Sequence, residues 1–317
     1  MTTHPQPVPG TLPVPATLAS LPTSVWVTAQ KDARNQRRDR YTPASATHPA
    51  KMLPAIAAHA ITTYTTPGQL VLDPMCGIGT TLVEAIHHGR DAAGIELEGR
   101  WTATAKRNLT LAHTQGATGR ATIHTGDARH AHTLLGPEHH GQVQLLLTSP
   151  PYGASVHGRV NATRDTHRSG INKFDTTYGT NPANLAHAPT DALLDAFTAI
   201  LTSCLPLLAP GAHVAVTARP WRHHGELVDL PAAVIAAGQN AGLTPVERCV
   251  ALLAGVRDGH LTARPSFFQL KNVRTARAAG VPMHLIVHED VLILRAPHSL
   301  PSRATPPSAV TVEATTS

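Results

Sequence analysis

The 317-residue chain has few aromatic residues, few cysteines and no long apolar run. Its three cysteines, Cys76, Cys204 and Cys249, lack the spacing of a metal site or a disulfide framework, and so sparse a set suits a reducing cytoplasm. No stretch approaches the roughly 20 apolar residues that a membrane span needs. The start, rich in proline and threonine, lacks the apolar core of a signal peptide. We therefore expect a cytoplasmic protein without a membrane partner.

Lysine is also scarce, since only five of the 26 basic residues are lysines. The net charge of +6 and the isoelectric point near 9.6 permit a polyanionic partner such as nucleic acid. Arginine suits the recognition of phosphate and guanine, but a high-GC genome explains the arginine excess equally well. The histidines are scattered, and adjacent pairs such as His87-His88 point apart on a helix or strand, which disfavours a metal site.

Low-complexity segments flank the centre of the chain. Residues 1–30 are rich in proline and residues 297–317 return to low complexity, which is typical of disordered ends. The basic run Lys31–Arg40 is interpreted as a solvated helix face, with contact to a phosphate backbone as the alternative. The predicted organisation is a flexible arm over residues 1–45, one domain over residues 46–296 and a disordered tail beyond it.

Strand and helix patterns alternate between Leu70 and Tyr152. Predicted strands cover residues 70–73, 91–96, 121–124 and 143–147, and predicted helices cover residues 53–64, 80–88 and 101–114. This alternation predicts an α/β fold in which a mostly parallel central sheet has helices on both faces. Later in the chain we expect helices over 191–208 and 230–241, strands over 212–217 and 244–253, and a last, antiparallel strand pair or hairpin over 285–294.

An apolar strand at Leu145–Leu147 ends abruptly in Ser149-Pro150-Pro151-Tyr152. Two prolines cannot continue a parallel ladder, so the chain must leave the sheet there. The tetrapeptide therefore presents a hydroxyl, unpaired carbonyls and an aromatic ring at the carboxyl end of a strand. This is where open α/β sheets bind ligands. A proline stop followed by an ordinary loop tyrosine explains the tetrapeptide equally well when it is taken alone.

A glycine turn follows the first of the alternating strands. Asp73 ends the strand, Gly77 and Gly79 form the turn, and a helix begins at Thr80. Glu96 ends the next strand, about where a ribose-binding acid belongs. The third glycine of the dinucleotide fingerprint is absent, and a carboxylate at Asp73 would repel a pyrophosphate but favour a cation. The pattern therefore indicates a nucleoside that carries an amino acid.

Three motifs resemble those of S-adenosylmethionine-dependent DNA amino-methyltransferases. The nine residues Asp73–Thr81 are similar to Asp-Pro-Phe-x-Gly-x-Gly-Thr-Thr, with Met75 in place of phenylalanine. Ser149–Tyr152 resembles the catalytic motif of that family, and His48–Met52 resembles its His-Pro-Ala-Lys-Phe segment. The order here, cofactor motifs first, differs from the permuted order of many relatives with Ser-Pro-Pro-Tyr. The resemblance implies a Rossmann-like methyltransferase fold that extends to about residue 296.

The resemblance also implies site residues. The cofactor would be S-adenosyl-L-methionine, with Asp73 and the glycine turn near its methionine part, Glu96 on the ribose and Asp127 on the adenine. Glu96 and Asp127 could instead cap the next helix or turn, Lys51 could be a solvated lysine, and Cys76 is expected to be structural. The predicted cofactor-binding residues are His48, Lys51, Asp73, Pro74, Cys76, Gly77, Gly79, Thr80, Glu96 and Asp127, and the predicted catalytic residues are Ser149, Pro150, Pro151 and Tyr152.

The implied activity is methylation of an exocyclic amino group of a DNA base. Ser149 and the Pro150 carbonyl would accept hydrogen bonds from the amino group, and Tyr152 would stack on the flipped base. Methylation at carbon 5 of cytosine would need a Pro-Cys nucleophile, and the sequence has no such dipeptide. Serine at the first motif position favours cytosine N4. The alternatives are adenine N6, an RNA amino-methyltransferase acting on a tRNA guanosine, or a non-catalytic nucleic-acid-binding protein on this fold.

The implied partner is duplex DNA with a flipped target base, with RNA as the alternative. The resemblance leaves open a cognate restriction endonuclease in the same system as a further partner. Two segments that combine basic and aromatic side chains are candidates for target recognition, residues 154–189 and residues 257–280. Packing of Phe267 and Phe268 under the sheet edge explains the aromatic residues of the second segment equally well.

Overall fold

The computed structural model describes residues 21–151, 159–161, 172–174, 179, 181, 183–185, 190–223, 226–265 and 267–298. The strands are β1 (Val25–Trp26), β2 (Leu70–Asp73), β3 (Asp91–Glu96), β4 (Ala121–Thr125), β5 (Val143–Thr148), β6 (Arg159–Asn161), β7 (Asn172–Phe174), β8 (Leu208–Ala218), β9 (Trp221–His223), β10 (Glu226–Val228), β11 (Thr244–Leu252), β12 (Gly255–Arg257), β13 (His260–Thr262) and β14 (His288–Arg295). The helices are α1 (Ala33–Arg37), α2 (Pro54–Tyr64), α3 (Thr80–His87), α4 (Gly99–Thr114), α5 (Ala131–Leu135), α6 (Thr190–Cys204), α7 (Leu230–Asn240) and α8 (Phe267–Ala278).

The central sheet has eight strands in the spatial order β1, β11, β14, β8, β5, β2, β3, β4. The five strands from β8 to β4 are parallel to one another. β14 is antiparallel to both of its neighbours, β8 and β11. From β2, the strands β3 and β4 extend the sheet to one side, and β5 and β8 extend it to the other side. The carboxyl ends of β2 and β5 therefore lie next to each other where the strand order reverses, which is where open α/β sheets bind ligands. The predicted Rossmann-like fold, with its antiparallel C-terminal strand, is confirmed.

Successive side chains of the central strands pack alternately into two apolar cores, one on each face of the sheet. Leu145 and Leu147 face the core that α2, α3 and α4 complete, whereas Leu146 faces the core that α6 and α7 complete, and all three leucines are fully buried. A strand buried on both faces reads as a continuous apolar run, as β5 does in the sequence. This double packing fixes the position of the residues that follow β5.

The structure differs from the predicted last strand pair and from the irregular basic segment before it. Residues 288–295 form the single strand β14, which is inserted between β8 and β11. The preceding residues contain a short hairpin of β12 and β13 and the helix α8. The prediction of a hairpin was wrong because residues 288–295 continue as one strand, and Val287 before them accepts from the Leu253 N–H at 2.8 Å.

The predicted flexible arm over residues 1–45 differs from the structure in its second half. Val25 and Trp26 extend the sheet by pairing with β11, and Trp26 is buried. The basic run is also more than a solvated face, because Arg37 donates to the carbonyl of Met52 and Arg40 binds Glu84. The remaining division of the chain into arm, domain and tail stays a prediction.

Within the described residues, no helix combines the length and the apolar character that crossing a bilayer requires.

The contact of Arg40 with Glu84 fastens the N-terminal segment to α3. The nearly buried Glu84 carboxylate accepts hydrogen bonds from the Arg40 guanidinium at 2.6 and 2.8 Å and from the Tyr41 hydroxyl at 2.7 Å. Glu84→Ala leaves these donors without their acceptor and should lower the free energy of unfolding by about 3 kcal/mol in urea titrations. The matched control is Arg120→Ala, which breaks the exposed Arg120–Asp91 pair and should shift the midpoint far less. Equal midpoints for the two variants would contradict this account.

Candidate active site

A cavity of about 410 Å³ opens at the carboxyl edge of the central sheet. The ends of β2, β3 and β5 border it, which is the usual position of a ligand site in an open α/β sheet. Twelve predicted site residues line this cavity: His48, Lys51, Asp73, Pro74, Cys76, Gly77, Thr80, Glu96, Asp127, Ser149, Pro150 and Pro151. Gly79 belongs to the same turn without lining the cavity, and Tyr152 lies outside the described residues.

Glu96 holds the glycine turn in place from the end of β3. Its Oε2 accepts a hydrogen bond from the Gly77 backbone N–H at 2.8 Å, and its Oε1 accepts one from the Glu98 N–H at 2.8 Å. Burial raises the pKa of the Glu96 carboxyl to about 7, against the opposing effect of these two donors. Each carboxylate oxygen retains the capacity to accept a further hydrogen bond. Glu96 can therefore bind two hydroxyl groups of a ligand in the cavity.

Asp73 joins β2, β5 and α3 through its carboxylate. Its Oδ1 accepts from the Thr148 hydroxyl at 2.8 Å and from the Met75 N–H at 3.1 Å. Its Oδ2 accepts from the Thr81 hydroxyl at 2.6 Å. Burial raises the pKa of Asp73 to about 6, although the three donors oppose the shift. Much of the Asp73 carboxylate thus serves the architecture of the site, a contribution that the sequence pattern did not indicate.

The glycine turn leaves no room for side chains. Gly77 and Gly79 have φ values of +54° and +80°, which residues with a side chain rarely adopt. A Cβ atom on Gly77 would lie 3.0 Å from Nε2 of His48, and one on Gly79 would lie 3.1 Å from Cβ of Ala105. The turn is therefore confined between the His48 ring and α4, and its backbone faces the cavity.

The His48–Met52 segment forms a second wall. The His48 ring is buried and meets the Trp101 ring edge-on at a centroid distance of 4.5 Å. Burial lowers the pKa of His48 to about 3, so the imidazole is neutral at physiological pH. Lys51 donates from Nζ to the His48 carbonyl at 2.5 Å while it lines the cavity. Its predicted contact with the cofactor stays a prediction.

Asp127 lies beside Arg129 at the third strand end. The carboxylate accepts from the Arg129 guanidinium and, at 2.9 Å, from the Arg129 backbone N–H. Burial alone would raise the pKa of Asp127, but the hydrogen bonds and the charge of Arg129 outweigh it and lower the pKa. Asp127 therefore combines the two interpretations made from the sequence, because it caps the following turn and also lines the cavity.

Ser149 and the two prolines form the part of the cavity wall that follows β5. Thr148, the last residue of the strand, is fully buried, and the chain leaves the sheet directly after it. Pro150 is buried and Ser149 is partly exposed. A hydroxyl and a backbone carbonyl at this position can accept hydrogen bonds from an amino group in the cavity. The catalytic roles of these residues stay predictions.

Several residues that line the cavity carry no motif in the sequence. They include Trp101, which follows Glu96 by five residues, and Asn184, Arg219, Leu253 and Glu289, which are distant in sequence from the motifs. Asn184 belongs to the predicted target-recognition segment 154–189, yet its amide donates to Glu98 at 3.0 Å, beside the β3 end. Arg219 had no signal beyond its position after a predicted strand, and Glu289 had none beyond its position within the predicted strand pair or hairpin over 285–294.

The raised pKa of Glu96 predicts how stability depends on pH. Between its ordinary pKa of 4.5 and about 7, the folded protein holds this proton more tightly than the unfolded chain does. Ionisation therefore costs stability progressively as the pH rises through that window. Glu96→Gln cannot ionise, so it should gain stability relative to the wild type from pH 4.5 to above 7, measured by urea unfolding of the ligand-free protein.

The control for this experiment is Asp91→Asn. Hydrogen bonds from Arg120 lower the pKa of Asp91, so ionisation of Asp91 favours the folded state. This variant should lose stability relative to the wild type as the pH rises through the ordinary aspartate range. A difference between the wild type and Glu96→Gln that is the same at every pH would contradict the assigned burial of Glu96.

Comparison with known proteins supports the resemblance in part of the chain. The N6_N4_Mtase family model, described as DNA methylase, matches residues 17–107. This range contains the His48–Met52 segment, the glycine turn and Glu96, but not Ser149–Tyr152. A search of the curated proteins gave no match. The predicted resemblance to the DNA amino-methyltransferases is thus confirmed over residues 17–107.

Solved structures resemble the chain only distantly. TrmN from Thermus thermophilus is 18% identical, with a TM-score of 0.46, over 82% of this chain and 53% of that protein, so the chain spans about half the length of TrmN. Magnesium protoporphyrin IX methyltransferase from Synechocystis PCC 6803, solved with bound SAM, is 12% identical over 76% of each chain, with a TM-score of 0.41. A methyltransferase from Methanosarcina mazei is 12% identical over 76% of this chain and 98% of that one, with a TM-score of 0.43.

Proposed function

We propose that the protein is an S-adenosylmethionine-dependent methyltransferase that modifies an exocyclic amino group of a DNA base, with cytosine N4 as the preferred acceptor. The observation that carries the proposal is the convergence of three motif segments on one cavity, in which Glu96 and the glycine turn lie on one side and Ser149 and Pro150 on the other. The family match over residues 17–107 supports the cofactor side of this proposal.

The residues of the cavity fit the cofactor. Glu96 has acceptor capacity for the two ribose hydroxyls, and Gly77, whose N–H it accepts from, lines the same cavity. Asp73 and Glu96 add carboxylates that favour the cationic amino acid part over a diphosphate. When bound, the cofactor would supply an electrophilic methyl group.

The protein's own residues would position the acceptor amino group. That group is a poor nucleophile because its lone pair is delocalised into the base. Hydrogen bonds from its N–H groups to the Ser149 hydroxyl and the Pro150 carbonyl would hold it in line with the methyl group and favour electron density on nitrogen. The role of Tyr152, stacking on the flipped base, rests on the family resemblance alone.

The segment between β11 and β14 supports a nucleic-acid substrate. Residues 254–287 contain five basic residues and one acidic residue, a net charge of +4 within a chain whose net charge is +6. Leu253, directly before the segment, and Glu289, two residues after it, both line the cavity. Lys271 and Arg274 on α8 are exposed. A basic segment whose two ends lie next to residues of the cavity suits the phosphate backbone on either side of a flipped base.

Labelled methyl transfer tests the proposal. Purified protein is mixed with S-adenosylmethionine carrying a labelled methyl group and with DNA, with RNA or with no acceptor. The proposal expects label on DNA, at cytosine rather than adenine. Label on RNA alone would favour the RNA amino-methyltransferase, and DNA binding without any transfer would favour a binding protein.

A Ser149→Ala variant tests the acceptor side separately. Loss of one hydrogen bond to the amino group should lower kcat about 10- to 100-fold, since a hydrogen bond to a reacting group is worth about 1.5–3 kcal/mol. The Kd of S-adenosylmethionine, measured by calorimetry, should not change. The control is Thr202→Ala, which removes an exposed hydroxyl of α6 and should leave kcat unchanged. A Ser149→Ala variant with normal turnover would contradict the assigned role.

The salt dependence of DNA binding tests the basic segment. Replacing Lys271 and Arg274 by glutamine should weaken binding and reduce the slope of log K against log salt by about 0.9 for each phosphate that the protein no longer neutralises. The control is the equivalent double replacement of Arg34 and Arg38, which are exposed in the N-terminal basic run. A larger decrease of the slope in the control variant would place the bound phosphates at the N-terminal run instead.

A further inference from the structure

Arg219 and Glu289 line the cavity and belong to none of the sequence motifs. Arg219 follows the last residue of β8, and Glu289 is the second residue of β14. Ala218 pairs with Asp290 in the antiparallel ladder, so the next residues outward, Arg219 and Glu289, lie opposite each other.

The two side chains project toward the same face of the sheet as Ser149. Side chains alternate along a strand, so Arg219 follows Ala215 and Thr217, and Glu289 continues the face of Val291 and Ile293. Ala215, Val291 and Ile293 belong to the same core as Leu145 and Leu147, which precede Ser149 by four and two residues. The pair and Ser149 therefore border one space.

The strand order places the pair on the side of β5 that is away from Glu96. Glu96 and Asp73 end β3 and β2, Ser149 follows β5, and Arg219 and Glu289 belong to β8 and β14. Thr148, which precedes Ser149, pairs with Val216, three residues before Arg219, and Ser149, Pro151 and Arg219 all line the cavity. Neighbouring strands are about 4.8 Å apart, so a flat base held at Ser149 can also reach Arg219.

Glu289 can orient the arginine. Its carboxyl is partly buried; burial raises its pKa, and the charge of Arg219 opposes that shift. The guanidinium is always charged and presents a planar fork of parallel donors, which fits two adjacent acceptors. Cytosine has two adjacent acceptors, N3 and O2, beside its amino group. Adenine has one acceptor and then a C–H group, and guanine has an N–H group next to its amino group.

We propose that Arg219, oriented by Glu289, donates to the acceptor edge of the target base and thereby selects cytosine over adenine. Arg219 is a specificity-determining residue in this account, and Glu289 is a positioning residue. The inference rests on the proposed function, since it concerns the acceptor half of the same cavity.

The test compares kcat/KM on two DNA duplexes that differ only in whether the target base is cytosine or adenine. Arg219→Lys keeps the charge but removes the fork, and it should lower kcat/KM on cytosine about 10- to 100-fold, as expected when one bidentate hydrogen-bonded pair is removed, with little change on adenine. Glu289→Gln should have a smaller effect, mainly on KM. The Kd of S-adenosylmethionine should be unchanged in both variants.

The matched control is Arg248→Lys. Arg248 pairs with Asp290 at 2.9 Å, so this pair also joins β14 to a neighbouring strand, but it involves the opposite face of β14. This variant should keep the preference for cytosine. If the wild type is active and Arg219→Lys keeps its full preference, the inference is overturned while the proposed function stands. A larger decrease for Glu289→Gln than for Arg219→Lys would also overturn it, because the carboxylate would then be the group that reads the base. A wild type that binds cofactor but methylates no DNA overturns the proposed function itself.

Discussion

The arrangement of the site depends on one buried carboxylate. Asp73 receives hydrogen bonds from Thr148 at the end of β5, from Thr81 in the first turn of α3 and from the backbone of Met75. It thereby fixes the glycine turn relative to the strand that leads into Ser149. A carboxylate with three donors in an apolar surrounding is costly to displace, because any partner that moves leaves a buried polar group unpaired. These hydrogen bonds of Asp73 therefore fix the distance between the glycine turn and the residues that follow β5.

The cavity is divided by β5 into two halves with different chemistry. On one side the acidic ends of β2 and β3 and the glycine turn suit a nucleoside with a cationic tail. On the other side Arg219 and Glu289 offer donors and acceptors to a flat polar ring. The strand that separates them ends at Thr148 and is followed by Ser149 and Pro150, which are the groups suited to hold an amino nitrogen. The chemistry follows from the order of the strands, since each half is supplied by the strands on its own side of β5.

Local patterns predicted most of the elements that carry the motifs, because strands buried on both faces and amphipathic helices have clear signatures. The strands β2 and β3 have the predicted bounds, and Glu96 and Asp73 lie where their positions at strand ends indicate. The sequence could not predict that Trp26 joins the sheet or that Arg219 faces Glu289, because both depend on pairing between distant segments. Nor could it predict the hydrogen bond between Thr148 and Asp73, since nothing local links residues 75 positions apart. The proposed preference for cytosine rests on one such long-range contact, between Arg219 and Glu289.

Base-resolution mapping of DNA from cells that express the protein tests the central claim most directly, because it reports the modified base and atom together. The account predicts N4-methylcytosine at a fixed sequence context, and a lower fraction of modified sites when Ser149 is replaced by alanine at equal protein level. Unmodified DNA from cells with the active wild-type protein, or an equal fraction of modified sites in the Ser149→Ala variant at limiting expression, would contradict it.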